Sequence, residues 1–240
     1  MFKLGVYGAA GRMGRRVVAC ADSHPHLEVV ATADHDGVSG DFSACDVIID
    51  FSVAEATDGL FSVLSETSAA LVTGVTGRSA SQHARVVAEA ERRPVFSAAN
   101  FSVGIAVLNR PVADASRALG ESFDLEVFEI HHRLKADAPS GTALQLAQTA
   151  AESASLSWPE SRQVRDGITG PRGDGEVGTA ALRGGTVAGE HTVYLFGEAE
   201  RLELTHRATN RDVFVHGALR AATWLPEQPV GLYGMSDLLS

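Results

Sequence analysis

The stretch LGVYGAAGRMGRRVVACA, residues 4–21, sets three glycines at a spacing of three, Gly8, Gly11 and Gly14, between an apolar run and a helical pattern. A Gly-x-x-Gly-x-x-Gly run alone is a weak signal, because glycine is common and turns need it. Its setting makes it strong. Leu4 and Val6 read as a short strand before it, and a helix follows from Arg15 to Ala21 with Val17, Val18 and Cys20 as buried candidates. LEVVATAD, residues 27–34, reads as a second strand and ends on Asp34, 20 residues after the last glycine. A dinucleotide-binding unit asks for this arrangement. Gly8 permits the tight turn, Gly11 lets the backbone approach a pyrophosphate, and Gly14 lets helix and strand pack closely. The helix start offers free N–H groups to the phosphates, and Asp34 accepts hydrogen bonds from the adenosine ribose. Gly8, Ala9, Ala10, Gly11, Arg12 and Met13 are therefore the candidate cradle.

The alternation of strand and helix continues outward. CDVIIDFS (45–52) is a continuous apolar strand of the kind a parallel sheet buries on both faces. Residues 53–66 fit a helix, AALVTGVTG (69–77) a strand and turn, 79–92 another helix, and PVFSAANFSVG (94–104) one more strand. In a doubly wound sheet the loops at the carboxyl ends of the strands line one crevice. That places Asp50-Phe51-Ser52, Gly74-Val75-Thr76 and Ala98-Ala99-Asn100-Phe101 beside the cofactor.

From about residue 122 the pattern changes. DLEVFEIHH (124–132) reads as a strand and SGTALQLAQTAAESAS (140–155) as a helix. TAALRGG, EHTVYLFGE and ERLELTHRA read as consecutive strands, the last two joined in a hairpin at 197–200. The Gly- and charge-rich segment 164–178 is expected to be a mobile surface loop. FVHGALRAATWL (214–225) has helical spacing, and the tail with Trp224 and Leu225 is expected to pack on the first domain. The fold expected is α/β: a Rossmann-type dinucleotide-binding domain, residues 1–101 plus 212–240, and a second α+β domain, 102–211, built on a mixed open sheet.

The bulk composition bounds the function. The 240 residues are 45% hydrophobic and 21% charged, which is ordinary for a globular chain. A net charge of −10 argues against a nucleic-acid or anionic-membrane surface. Two cysteines, Cys20 and Cys45, fit buried thiols of a reducing compartment better than a disulfide scaffold. The chain enters a strand and glycine turn at once, and no apolar run approaches the ~18 residues of a membrane helix. It is expected to be cytoplasmic, neither secreted nor membrane-spanning.

EIHHRLKADAPSGTAL (129–144) carries the chemistry. Neighbours on a strand point to opposite faces, so His131 and His132 are not paired metal ligands, and no Cys pair or Glu-x-x-His adjoins them. No metal is expected. An imidazole is a competent proton donor near neutral pH, and Lys135 adds a cation. Pro139 ahead of Ser140-Gly141-Thr142 opens a helix whose N–H groups and hydroxyls form an anion site. Proton donors, a cation and a carboxylate cradle together describe a pocket for a small anionic substrate.

These motifs, GAAGRMG, DFS, GVTG, AANFSVG, EIHHRLKADAPSGTA and EHTVYLFGEAERLELTHRA, occur in the order found in the bacterial dihydrodipicolinate reductase family, which the chain resembles over nearly its whole length. The resemblance implies reduction of a cyclic, doubly carboxylated imine with NADH or NADPH, in the diaminopimelate route to lysine. Hydride goes to ring C4, and the resulting enamine is protonated at C3. His131 and Lys135 match the family's proton donors, His132 a substrate ligand, and Gly141 and Thr142 the residues that bind one carboxylate. Homotetramers assembled through the second domain's sheet are implied, with the last helix belonging to the first domain.

One departure concerns the cofactor. Some members carry Arg directly after the ribose-binding acid, where it meets the 2′-phosphate of NADPH; here His35 stands there, between Asp34 and Asp36. Arg12, Arg15 and Arg16 offset part of that loss, so both cofactors are expected to work, with NADH modestly preferred. The segment 154–178 also looks short for the family. Two other readings share the plan: a different reductase or amino-acid dehydrogenase, and a non-catalytic dinucleotide sensor. The Lys135 and Ser140-Gly141-Thr142 cluster opposes the first, and His131 with Lys135 opposes the second.

Overall fold

Short apolar runs separated by helices commit the first hundred residues to a parallel sheet, and the computed structural model builds it. The structure describes the backbone of all 240 residues and every side chain except that of Glu121. In chain order come β1 (Phe2–Tyr7), α1 (Arg12–Ala21), β2 (Leu27–Asp34), β3 (Gly37–Gly40), β4 (Val47–Asp50), α2 (Thr57–Ser65), β5 (Ala70–Thr73), α3 (Ala80–Glu89) and β6 (Pro94–Ser97). The chain then runs through α4 (Val103–Leu119), β7 (Asp124–His131), α5 (Gly141–Ser153), β8 (Arg162–Gln163), β9 (Val177–Arg183), β10 (Gly189–Phe196) and β11 (Arg201–Ala208). It returns with α6 (Asp212–Trp224) and β12 (Gly231–Tyr233). The two units are Met1–Val103 with Asp212–Ser240, and Gly104–Arg211.

The first unit is a seven-stranded sheet in the order β12-β6-β5-β4-β1-β2-β3. All neighbours are parallel except the β2–β3 pair. From β1 the chain order runs outward in both directions, so the switch point of the doubly wound fold lies between β1 and β4. Both faces are covered, which is why β4 and β5 read as unbroken apolar runs. Val47 and Ile49 join Val17, Ala218 and Ala222 in one core, while Ile48 joins Leu60, Leu64 and Val86 in the other. α6 lies close to the sheet because its buried face is built from small residues. A Cβ on Gly217 would collide with the Phe101 carbonyl oxygen.

The second unit has the strand order β11-β10-β7-β9-β8. β7 pairs β9 in parallel and β10 antiparallel, so the sheet is mixed and open. Alternation along β7 puts Leu125 and Val127 on the face where α4 and α5 pack, with Leu146, Ala147, Val193 and Leu195. The 197–200 hairpin closes with Gly197 N–H donating to the Glu200 carbonyl at 2.9 Å. No helix among the described residues is long and apolar enough to cross a membrane.

The structure departs from the sequence reading in four places. The strand assigned to 94–104 ends at Ser97, and Val103 begins a 17-residue helix. Ile105, Leu108 and Val112 give that helix a buried stripe, but Pro111 inside it disguises the pattern. β3, β8 and β12 were unread because strands of four, two and three residues carry too little periodicity. The segment expected to be a mobile loop is irregular from 164 to 176 yet tethered. Arg165 pairs with Glu126 at 2.8 Å and Glu176 at 2.7 Å, and Arg172 pairs with Asp124 at 2.8 Å. α1 starts at Arg12, three residues before the predicted Arg15.

Beneath the crevice of the first unit lies a buried ion pair. Asp50, fully buried at the end of β4, accepts from Arg78 at 2.6 Å and from the Thr73 hydroxyl at 2.9 Å. Arg78 also donates to Thr57 Oγ1, so one guanidinium joins the ends of β4 and β5 to the start of α2. Removing one partner of a buried pair typically costs about 3–5 kcal/mol. Arg78→Met should therefore lower the stability of the first unit by about that amount. Urea unfolding followed at Trp224, which sits in this unit, reads the effect, and an unchanged midpoint would show the pair to be dispensable.

Candidate active site

The cofactor cradle in the first unit is made of backbone. Gly8, at φ +86°, turns the chain out of β1, and a Cβ there would meet the backbone of Ser52 at 2.7 Å. The Gly8 and Ala9 N–H groups donate to the Ala33 carbonyl at 2.8 and 3.1 Å, locking the loop to the end of β2. A Cβ on Gly14 would strike the Gly8 carbonyl oxygen, so close packing of helix on loop depends on that glycine. Gly11 caps α1 with no side-chain bond, leaving the first-turn N–H groups to an incoming anion. Near them Asp34 accepts from Ala10 N–H at 2.7 Å. A cleft of ≈ 610 Å³ opens beside Asp34, lined also by Arg15, Val18, Thr32 and Asp36. These features fit a dinucleotide.

Gly74, Val75 and Thr76 follow β5 on the same edge of the sheet, and a Cβ on Gly74 would enter the Phe51 ring. Ala98, Ala99 and Asn100 follow β6, where the Asn100 side-chain Oδ1 accepts from Ser102 N–H at 2.8 Å. Phe101 stands apart from the other candidates. Its ring is 2% exposed and packs on Phe96 and Phe51, so it belongs to the core. Met13 likewise packs against the core. His35 is held between two carboxylates, 2.5 Å from Asp34 and 3.1 Å from Asp36. The hydrogen bond to Asp34, then the charges of Asp36 and Asp34, raise its pKa above the ordinary 6.5. Arg16 is committed to Asp212 at 2.5 Å, whereas Arg15 lines the cleft.

In the second unit, strand alternation puts Glu129 and His131 on one face of β7, at the polar end of an apolar surface. Glu129 is fully buried. Its Oε2 accepts from Arg183 at 2.7 Å and faces His131 Nδ1 at 2.6 Å; its Oε1 accepts from Arg183 at 2.7 Å and from Ser140 N–H at 3.0 Å. Burial works to raise the Glu129 carboxyl, but the bonds from Arg183, His131 and Ser140 outweigh it and hold it below the usual carboxylate range. Sequence reasoning missed Glu129 and Arg183. They are 54 residues apart, and only the pairing of His131 with Arg183 across β7 and β9 brings them together.

The chain leaves β7 after His131, so His132 lies outside the sheet and faces Arg211 at 2.6 Å. Arg can only donate, so His132 Nε2 is the acceptor. Lys135 pairs with Asp137 at 2.9 Å. Ser140 caps α5 by accepting from Ala143 N–H at 3.2 Å, and open space lies where a Gly141 side chain would be. Thr142 is the second residue of that helix. Behind this helix start stands His191, 4% exposed, its Nε2 3.1 Å from the Ser140 hydroxyl and its ring edge-on to His131. The site thus joins a hydrogen-bonded imidazole, an ammonium, a guanidinium and an open helix N-terminus. Such a set can hold a carboxylated ligand and supply a proton.

Two family profiles match the chain: "Dihydrodipicolinate reductase, N-terminus" over residues 2–101 and "Dihydrodipicolinate reductase, C-terminus" over residues 104–239. The chain belongs to the dihydrodipicolinate reductase family. Among its relatives, the 4-hydroxy-tetrahydrodipicolinate reductase of an Anaeromyxobacter species is 40% identical, covering 100% of this chain and 98% of that protein. The enzyme of the same name from Campylobacter jejuni is 41% identical, covering 100% and 99%. Among solved structures, a dipicolinate-bound dihydrodipicolinate reductase from a Paenisporosarcina species superposes with a TM-score of 0.76 at 24% identity, covering 99% of each chain. A diaminopimelate dehydrogenase from C. glutamicum gives a TM-score of 0.53 at 14% identity, over 100% of this chain and 95% of that one, and shares the fold. Membership of the dihydrodipicolinate reductase family makes the chain an oxidoreductase with a nicotinamide dinucleotide cofactor.

Burial, with His131 beside it, pushes the His191 pKa down to about 4, and Nδ1 has no partner among the described residues. The unfolded chain takes up a proton there near pH 6.5, whereas the folded chain does so only near 4. Stability is therefore unaffected above about 6.5 and falls as the pH drops from there to 4, by up to about 3 kcal/mol. His191→Asn should flatten that part of the urea-midpoint profile; identical slopes in both proteins would contradict the buried neutral imidazole.

Proposed function

We propose that the chain reduces 4-hydroxy-tetrahydrodipicolinate to tetrahydrodipicolinate, in the diaminopimelate route to lysine, the 4-hydroxyl leaving as water to give the conjugated ring imine that takes hydride at C4 and a proton at C3. The observation that carries this reading is the cluster at the end of β7, where His131 and the start of α5 meet on buried Glu129 and Lys135, paired with Asp137, lies in the loop that joins them. A reduced nicotinamide dinucleotide, held by its pyrophosphate at Gly8 to Met13, would supply the hydride that ring C4 needs. Everything else falls to the chain's own side chains. His131 donates the proton to C3, with Lys135 as the second donor near the ring. Gly141 and Thr142, at the α5 N-terminus behind Ser140, bind one carboxylate through N–H groups and a hydroxyl. His132 and its partner Arg211 serve the other carboxylate, adding a cation beyond those read in the sequence.

A non-catalytic dinucleotide sensor would need no such set in its second unit. An amino-acid dehydrogenase of the same fold would need to hold an amino-acid backbone rather than a ring bearing two carboxylates. Both cofactors serve, with NADH modestly preferred, because Asp34 and Asp36 repel a 2′-phosphate while Arg15 offers one cation in the cleft. The half-exposed Phe128, Ile130, Tyr194 and Phe196, with Leu182 53% exposed, support a homotetramer built on the open face of the second sheet. Free Cys20 and Cys45 support a cytoplasmic protein.

His131→Gln should lower kcat by about 10²–10⁴-fold, the usual range for general acid catalysis, with little change in the KM for NADH. Full turnover at saturating substrate would remove the proton-donor assignment. Thr142→Val keeps the shape and loses the hydroxyl, so the substrate KM should rise about tenfold, one charge-assisted hydrogen bond. Pyridine-2,6-dicarboxylate should compete with substrate, and its failure to inhibit at about millimolar levels would argue against a doubly carboxylated ring.

Cofactor choice should follow the charge of residue 35. Because the His35 pKa is raised, protonation sets in as pH falls through a midpoint above 6.5, and the NADH preference should shrink over that window. His35→Arg should move preference to NADPH at every pH, since a guanidinium pairs with phosphate bidentately. Equal NADH to NADPH ratios of kcat/KM in wild type and variant would show that this position does not read the cofactor.

A further inference from the structure

A fully buried carboxylate is stable only when its lone pairs are taken. Glu129 has all four filled: two by the Arg183 guanidinium, one by Ser140 N–H and one by His131 Nδ1. An ionised carboxylate only accepts, so the proton shared with His131 Nδ1 must come from the ring. Neutral His131 therefore has a bare Nε2, and its protonated form carries a transferable proton there. Nε2 faces Gly189, at φ +152°, where a Cβ would stand 3.0 Å from Nε2 and 3.3 Å from Cδ2. Gly189 comes level with His131 at the end of the β7–β10 ladder, one step beyond the Ile130–Glu190 pair and two beyond Glu129–His191.

We infer that Glu129, backed by Arg183, is the positioning residue that fixes Nε2 of His131 as the proton-transfer atom, and that Gly189 keeps Nε2 accessible. The inference rests on His131 being the proton donor. It goes beyond it by assigning the atom, its orienting partner and the reason for glycine at 189. An ion pair serving stability alone would need only Glu129 and Arg183. The 2.6 Å bond to His131 joins the pair to the imidazole, as a third group orients the base in nucleophile–base pairs. Glu129 also holds the Ser140 N–H, so one carboxylate sets both the imidazole and the start of the helix read as the carboxylate cradle.

Glu129→Gln keeps the shape but replaces one acceptor with an NH₂. If that NH₂ faces His131 it must donate, which reverses the ring tautomer; if it faces Ser140 it opposes an N–H and the guanidinium. We expect kcat to fall about 10²–10⁴-fold, with the NADH KM unchanged. In Glu129→Gln/His131→Gln the loss should stay within about threefold of His131→Gln alone, because residues acting as a unit are not additive. Multiplying losses, or a Glu129→Gln enzyme with near-normal kcat, would overturn the assignment. Should Glu129→Gln fail to fold, Gly189→Ala decides, since it leaves the ion pair intact. A kcat at least tenfold lower with unchanged NADH KM supports Nε2, and full turnover overturns it. An impaired His131→Gln with an active Glu129→Gln sinks only this inference, whereas an active His131→Gln sinks the proton-donor reading beneath it.

Discussion

A carboxylate with no exposure to water organises the chemistry of this chain. Glu129 would be costly in the core of an open sheet unless several donors reached it at once. β7 brings His131 by alternation, β9 brings Arg183 by register, and the loop after β7 brings the Ser140 N–H. Each bond fixes a different piece: the imidazole, the edge of the sheet and the first turn of α5. His191, from β10, meets the same loop through the Ser140 hydroxyl. The polar row sits at the end of an apolar face that α4 and α5 cover, so packing excludes water from behind while the α5 N-terminus stays open.

The first unit solves a different problem by different means. A dinucleotide is long and bears its charge in the middle, so it is met by backbone and glycine rather than by side chains. Gly8 and Gly14 are there because neighbouring main chain occupies the space a Cβ would need. Below them the Asp50–Arg78 pair holds the ends of β4 and β5 in register with α2. Both units thus put a buried, saturated carboxylate under a set of loops. In the first it steadies backbone donors, and in the second it aims a side chain.

The glycine loop and the run from His131 to Thr142 were legible as candidate sites because their information is local. GAAGRMG lies between a strand and a helix, and His131 to Thr142 spans one turn and one helix start. What was not legible is long-range or short-lived in sequence. Arg183 meets Glu129 across 54 residues, His191 meets Ser140 across 51, and Arg211 meets His132 across 79. No periodicity announces such pairs; sheet register creates them. Gly189 reads as an ordinary strand-start glycine until the His131 ring is seen against it. α4 was hidden by Pro111, although its buried residues follow helical spacing. The Phe101 ring turns inward to the core, leaving only its backbone for the cofactor contact read at that position, because a strand end fixes where the backbone goes but not which way a ring points.

The claim that joins the two units is that they serve one reduction. The most direct test follows NADH and NADPH absorbance with purified protein while the synthase that precedes this step forms the substrate in situ from pyruvate and aspartate semialdehyde. The account predicts cofactor oxidation that depends on synthase, pyruvate and semialdehyde together and is suppressed by pyridine-2,6-dicarboxylate. Oxidation no faster than the synthase-free background with both cofactors, under conditions where a relative such as the Campylobacter jejuni enzyme turns over, would contradict it.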